Sequence, residues 1–497
     1  MDSKESSWRR PGTRFPDTPF FSGFEAPARI EADIFELEVD GELPVDLNGA
    51  FYRLAPDPQF PPRVDNDIIL NGDGMMSMFR FENGHVDYKS RYVRTERFMV
   101  DREARRALFG AYRNPYTDEY SVRGISRGLA NTTPIWHAGK LLALKEDSLP
   151  VELDPETLET VGRIDYAGQF KSKTFTAHPK VDPVSGNMFT FGYAAKGETT
   201  RDVAFYIIDA TGKVIREEWF EAPYAAEIHD FVVTQEHVIF PIFPTTTDLE
   251  RIKAGGQHWQ WDPTLPTYVG IFPLSGTVKD MKWYKAPARK GYHFFNAYTK
   301  GNKVIVDGTI ADAELFPFFY ADPEKNFDPT KAVPLIRRWT FDLDSNGSEF
   351  KEEVLSDQYA EFPRIDERFM TQAYRYGYVI ANDPSRDFTG GGIFGPAFNT
   401  ITRYDFESGQ SSSYALDDKS VAQEPVFVPR YPDAPEGDGY LIALVARYDT
   451  MLNDLLVLDA MDLASGPIAT IHLPIRLRLG VHVNWAPAHV LKQYDKF

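Results

Sequence analysis

The chain has 497 residues with 54 Lys+Arg against 73 Asp+Glu, and the resulting formal charge of −19 disfavours a phosphate backbone as partner. Hydrophobic residues at 42% and aromatics at 14% supply a large core and exclude a globally disordered chain. There is no cysteine, which excludes disulfides, thiolate metal sites and cysteine nucleophiles, so any metal must rest on His, Asp or Glu.

The chain opens on MDSKESSWRRPGTRFPD, charged and proline-rich, and no apolar signal-peptide core follows it. Trp8-Arg9-Arg10 suggests a twin-arginine signal, but the residues after it are polar. Residues 1–25 are expected to be flexible, residues 26–497 to form a single domain, and the protein to be cytoplasmic. No run approaches the roughly 18 apolar residues of a spanning helix. The oligomeric state is open, and a homodimer is the assembly to test for.

After this segment the sequence reads as short strands. Asn187–Tyr193, Val203–Ile208, Val238–Phe243, Lys303–Asp307, Tyr440–Val445 and Leu455–Leu458 are rich in β-branched and aromatic residues and bounded by Gly, Asp, Asn or Pro. Asn83-Gly84, Ser185-Gly186, Thr211-Gly212, Lys300-Gly301 and Ser408-Gly409 punctuate them as hairpin turns. The best helix candidate is Asp101–Tyr112, and the glycines around 387–398 mark a loop. An all-β chain of this length must close its sheet edges, which a propeller of about seven blades does. No WD or kelch signature repeats, and a pair of β-sandwiches is the competing architecture.

Of the ten histidines, none shows the HxH or HExxH spacing. His85-Val86-Asp87 matches half of a two-His-one-carboxylate triad, but it follows Asn83-Gly84 and reads as the outgoing strand of a hairpin. His178, His229, His293 and His482 differ, because each lies in an apolar or small-residue stretch beside an expected strand. They are separated by 51, 64 and 189 residues, about one, one, and three or four blades. Strands starting near a propeller axis can aim such imidazoles at one point, and four of them suit iron, copper, nickel or zinc.

These contexts resemble the carotenoid cleavage oxygenase superfamily. The resemblance is carried by Leu47–Arg53 (LNGAFYR), Asn71-Gly72-Asp73-Gly74, Leu142–Glu146 (LALKE), Glu361-Phe362-Pro363-Arg364, Gln423–Arg430 (QEPVFVPR) and Leu455–Ala460 (LLVLDA). It implies an all-β, seven-bladed propeller with a dome of loops and helices over an axial ferrous ion. The implied ligands are His178, His229, His293 and His482, oriented by Glu146, Glu361 and Glu424. A carboxylate that accepts the far ring N–H fixes the imidazole tautomer and raises its basicity. The resemblance also places Thr132 beside a vacant coordination position.

Within the superfamily the chain looks most like the lignostilbene dioxygenase and isoeugenol monooxygenase branch. There Tyr112 and Lys145 match the pair that binds a substrate phenol. The implied reaction is O2-dependent cleavage of the alkene attached to a 4-hydroxyphenyl ring, giving an aromatic aldehyde such as vanillin. Leu70, where stilbene cleavers often carry an aromatic, removes one stacking wall and favours a short side chain, as in isoeugenol or 4-vinylguaiacol. The alternatives are an apocarotenoid cleaver, with Leu315–Tyr320 lining its entry, and a ligand-binding propeller without metal.

Overall fold

Strands buried along their whole length, such as Gly49–Pro56 and Met188–Tyr193, or along all but the last residue, as in Ser420–Pro429, need apolar neighbours on both faces. A ring of radially packed sheets provides this, and the computed structural model, which describes residues 14–389 and 398–494, forms such a ring.

The first blade is built from Ala32–Ile34, His85–Tyr92, Gly74–Glu82, Gly49–Pro56 and Val483–Pro487. The second runs Thr133–His137, Lys140–Leu144, Val151–Leu153, Thr160–Arg163, and the third Lys180–Val181, Met188–Tyr193, Asp202–Ile208, Val214–Glu221. The fourth is Val232–Val233, His237–Ile242, Thr267–Pro273, Lys282–Ala286, and the fifth Lys290–Lys300, Lys303–Ala311, Leu335–Asp342, Lys351–Ser356. The sixth is Ala360–Ile365, Tyr376–Ala381, Thr400–Asp405, Ser411–Ala415. The seventh is Ser420–Pro429, Gly439–Arg447, Leu452–Asp459, Pro467–Leu473 and Glu38–Gly41. All pairings are antiparallel.

The two-residue period of a strand decides which neighbour each side chain meets. Along Gly439–Arg447, Leu441, Ala443 and Val445 pack toward the sixth blade, while Ile442 and Leu444 pack toward the first. The core is therefore a circle of inter-blade clusters, with aromatic packing heaviest between the third and fourth blades at Phe191, Phe205, Phe240 and Phe272.

Both ends of the chain close the circle. Val483–Pro487 pairs with Gly49–Pro56 as the innermost strand of the first blade. Glu38–Gly41 adds to the outer edge of the seventh by pairing with Pro467–Leu473. Of the segment 1–25 expected to be flexible, residues 1–13 lie outside the described residues. Phe21, Phe24 and Glu25 are buried, and Arg478 Nε donates to the carbonyl of Glu25 at 2.8 Å.

The expected strands form, each within a residue or a few of its expected ends, and the glycines of the five hairpin dipeptides all have positive φ. The expected helix does not form where it was placed. It spans Glu96–Ala104, capped by the Thr95 hydroxyl that accepts from Phe98 N–H at 3.1 Å. It stops because Arg105 turns left-handed (φ 56°). Beyond it the chain turns at Gly110, where a Cβ would lie 2.1 Å from Thr117 Oγ1. Phe109–Tyr112 is thus loop, and Tyr112 is carried there. The glycine loop expected at 387–398 falls mainly on 390–397, outside the described residues. Among the described residues no helix is long and apolar enough to cross a membrane.

Candidate metal centre and substrate pocket

His178 and His229 stand two and three residues before the innermost strands of the third and fourth blades, and His482 immediately before that of the first. His293 lies within the innermost strand of the fifth, Lys290–Lys300. Asp230 locks three of these strands together, accepting from Lys180 Nζ at 2.7 Å and from Phe294 N–H at 3.1 Å. His482 is fixed through its backbone, its N–H donating to Thr132 O at 3.2 Å and its carbonyl accepting from Leu54 N–H at 3.1 Å.

The structure brings the four histidines together, with one potential ligand atom of each within 4.8 Å of the others. The Nε2 atoms of His178 and His229 are 3.0 Å apart, and those of His229 and His293 3.2 Å. His85, by contrast, is exposed and pairs with Glu36 at 3.0 Å, as a hairpin residue would.

The glutamates meet the opposite side of the rings. Glu146 bonds His229 Nδ1, Glu361 bonds His293 Nδ1 at 2.7 Å and Glu424 bonds His482 Nδ1 at 3.0 Å. Each carboxylate is held in turn. Glu146 accepts from the Tyr193 hydroxyl at 2.9 Å, Glu361 from the Thr309 hydroxyl at 3.2 Å, and Glu424 from Val483 N–H at 2.6 Å. Arg113 and Arg364 stand 3.5 Å from Glu146 and Glu424, so these buried charges are paired. Among the described residues no carboxylate reaches His178.

Three of these side chains owe their aim to β-bulges. The register slips around Phe294, between Glu361 and Arg364, and between Ala422 and Pro425, which turns His293, Glu361 and Glu424 relative to a regular ladder. Pro363 and Pro425 cannot donate to a ladder, and they sit where it breaks.

The donor set fits a cation. With Nδ1–H of His229 and His293 directed at glutamates, both Nε2 atoms carry lone pairs, and these face each other at 3.2 Å. His482 Nε2 is buried without a hydrogen-bond partner. Burial, reinforced by the other three histidines, pushes His178 well below its usual value. His482 falls to about 4, burial outweighing the opposing pull of Glu424. Burial would raise Glu146, but His229, Arg113 and Lys145 outweigh it and bring it down to about 2. Burial favours the neutral form of His178 and His482, which a divalent metal requires, whereas at His293 burial is outweighed by Glu361, which raises it.

A largely apolar pocket of about 110 Å³ abuts the centre, reaching His229 and His293. Leu70, Tyr112, Thr132 and Lys145 all line it, as do Leu315, Phe316 and Phe319 from the stretch expected at a tunnel entry. Thr132 is buried, its hydroxyl bonded to Asn131 Oδ1 at 3.0 Å. Lys145 Nζ lies 5.2 Å from the centre of the Tyr112 ring. Burial lowers Lys145, opposed by Asp147 and Glu146, and raises Tyr112 well above its usual value.

Sequence reasoning missed several residues here. Arg113 donates to the Tyr193 hydroxyl at 2.9 Å and thereby joins the Tyr112 loop to Glu146. Phe362, left-handed at φ 55°, stacks on His293 with ring centres 5.2 Å apart. Glu227 brings a carboxylate within 4.8 Å of Glu146 and His229, anchored by Lys290 at 2.6 Å. The positive φ and the buried lysine are tertiary facts; only Pro363 beside Phe362 gave a sequence hint.

A closed propeller whose inner strands bring four histidines together, three of them backed by glutamates, has the architecture of the carotenoid oxygenase type and a group that could hold a metal ion. Residues 25–487 match the family described as retinal pigment epithelial membrane protein, and the chain belongs to that family. It is 49% identical to an isoeugenol monooxygenase of Pseudomonas nitroreducens, covering 94% of this chain and 98% of that protein. It is 46% identical to lignostilbene-alpha,beta-dioxygenase isozyme III of Sphingomonas paucimobilis, covering 96% and 99%. The crystal structure of Pseudomonas brassicacearum lignostilbene dioxygenase superimposes with a TM-score of 0.92 at 43% identity, covering 96% of this chain and all of that one.

Proposed function

We propose that this protein is a ferrous oxygenase that uses O2 to cleave the alkene conjugated to a 4-hydroxyphenyl ring, of the isoeugenol, 4-vinylguaiacol or hydroxystilbene type, yielding an aromatic aldehyde. The observation that carries the reading is a lysine and a tyrosine buried in an apolar pocket that reaches His229 and His293 of the four-histidine cluster.

His178, His229, His293 and His482 would hold the iron, with Glu146, Glu361 and Glu424 fixing three rings. Imidazole suits several metals, and iron is chosen for the oxygenase chemistry of the relatives. A ferrous ion there would supply the electron that ground-state dioxygen needs before it can react with a closed-shell alkene.

The protein's own part is to make the alkene electron-rich and to keep water out. Lys145, held below its usual value by burial, accepts the phenol proton and leaves an ammonium beside the phenolate. Tyr112, held well above its usual value by burial, stays protonated and can donate to the same oxygen. Electron density then moves through the ring into the double bond. The aromatic wall of Phe316, Phe319 and Phe398 excludes water and packs the aryl ring. Cleavage adds both atoms of one O2 equivalent across the severed bond or exchanges one with water, and two carbonyl products leave.

Aerobic turnover of isoeugenol, 4-vinylguaiacol and resveratrol, each beside its 4-O-methyl ether, tests this reading. The free phenols give aldehyde and the ethers give none. Lys145→Met lowers kcat/KM on the phenols by a factor on the order of 100, a typical loss for a group that moves a proton. Equal turnover of phenol and ether contradicts the proposal.

A further inference from the structure

The two sides of the four-histidine centre differ in chemistry. On one side lies the apolar pocket of Leu70, Tyr112 and Phe316. On the other lies a second chamber of about 250 Å³, bounded by His178, His293 and His482. His293 is the histidine that borders both. The second chamber is walled by the inner strands of the blades, with Thr133, Lys180, Ile365, Glu424 and Val483 among its residues, so it lies along the propeller axis. Val490, half-buried on the helix Ala488–Tyr494, borders the chamber, and Glu367, exposed, forms part of its rim.

The wall of this chamber mixes apolar and polar groups, far more of the latter than the other pocket shows, and its carboxylates, Asp230, Glu367 and Glu424, outnumber its cations, Lys180 and Arg364. Lys180 pairs with Asp230 at 2.7 Å. Arg364 joins Glu367 to Glu424, the latter at 3.5 Å, and Glu424 holds His482 at 3.0 Å. A run of contacts therefore leads from a solvent-exposed carboxylate to a histidine of the centre. A hydrated divalent cation entering the other pocket must shed its water against a mostly apolar wall before it reaches the carboxylates and imidazoles at the far end, at a large desolvation cost. In the axial chamber carboxylates and imidazoles can replace that water step by step.

We propose that the axial chamber is the loading route of the ferrous ion, with Glu367 as its first contact, and that the apolar pocket admits only the organic substrate. The inference rests on the four-histidine reading above. It assigns a role to a cavity that the alkene does not need, and it lets the metal be replaced without wetting the substrate pocket.

The test is the rate of anaerobic ferrous uptake by the full chain after its metal has been removed with a chelator. Uptake is stopped at intervals with excess chelator, and bound iron is measured after desalting. Val490→Trp, which narrows the chamber, slows uptake about tenfold, since entry then waits on an opening motion. Its final iron content stays that of the unaltered chain. Glu367→Lys, at an exposed position that folding tolerates, slows uptake on the order of tenfold at low salt, and the difference closes at high salt. Leu315→Trp, which narrows the apolar pocket, loads at the unaltered rate. Unchanged rates in both chamber variants, or slowing in Leu315→Trp alone, overturns the route while leaving the centre intact. A chain that takes up no iron at all overturns the centre and the route with it.

Discussion

The proton on Nδ1 of His293 points at Glu361, and that placement keeps the lone pair on Nε2. Glu361 can do this because Thr309 and the backbone N–H of Phe362 hold its carboxylate in place. Glu361→Gln keeps the shape and removes the charge that strengthens the imidazole as a donor. Ferrous affinity, measured by anaerobic titration, should fall about 10- to 100-fold while the folded content is unchanged; an unaltered affinity would show that this carboxylate does not tune the centre. At this scale the sequence was legible only through ordered motifs. His178, His229, His293, His482 and the three glutamates could be picked out because each sits in a recognisable stretch. Tyr193 and Arg113 could not, since one resembles any strand aromatic and the other any loop arginine. Their importance lies in contacts that span 47 and 80 residues of chain.

Strands that must deliver a side chain to the axis depart from a regular ladder, and the neighbouring strands are shaped to allow it. Gly308 lies opposite the bulge at Phe294, and a Cβ there would sit 2.6 Å from Phe294 Cδ1. The effect is one of space, because the bulged strand cannot move without carrying His293. Gly308→Ala should cost about 1–3 kcal/mol of stability, read as a lower melting temperature, and should also reduce the iron retained after dialysis. Unchanged iron retention would separate the bulge from the aim of His293. Strand positions were legible from β-branched and aromatic runs, and hairpins from their glycines. The helix was misplaced by several residues because Ala104–Leu108 looks helical locally, whereas Arg105 and Gly110 adopt conformations set by contacts with Asp101 and Thr117. The bulges left a faint trace in Pro363 and Pro425, which break the ladder from within inner strands.

Around the whole ring, every blade buries both faces against its neighbours, so stability depends on the circle staying shut. Blade number was not legible from repeats, because each inter-blade interface is packed by different residues and shares no signature. The closure strand Glu38–Gly41 is fastened by His472, which bridges Asp40 at 3.0 Å and Asp454 at 2.9 Å. Partial burial lowers His472, but the two carboxylates outweigh it and raise it above its usual value. A raised folded value means the contribution is complete below the unfolded value of about 6.5 and disappears as pH climbs through the folded one. His472 is 40% exposed, so screening limits the contribution to about 1 kcal/mol or less. His472→Gln should therefore melt below the unaltered protein at acidic pH, with the gap closing as pH climbs through the folded value and shrinking in salt; a gap that widens with pH would contradict this account of the closure.

The central claim is that His178, His229, His293 and His482, gathered from separate blades, grip a single ion. Metal analysis of chain reconstituted anaerobically with ferrous salt, beside His229→Ala, tests it most directly. The account predicts one iron per unaltered chain, and loss of both iron and alkene cleavage in the variant. A His229→Ala protein that keeps its iron and its turnover would contradict it.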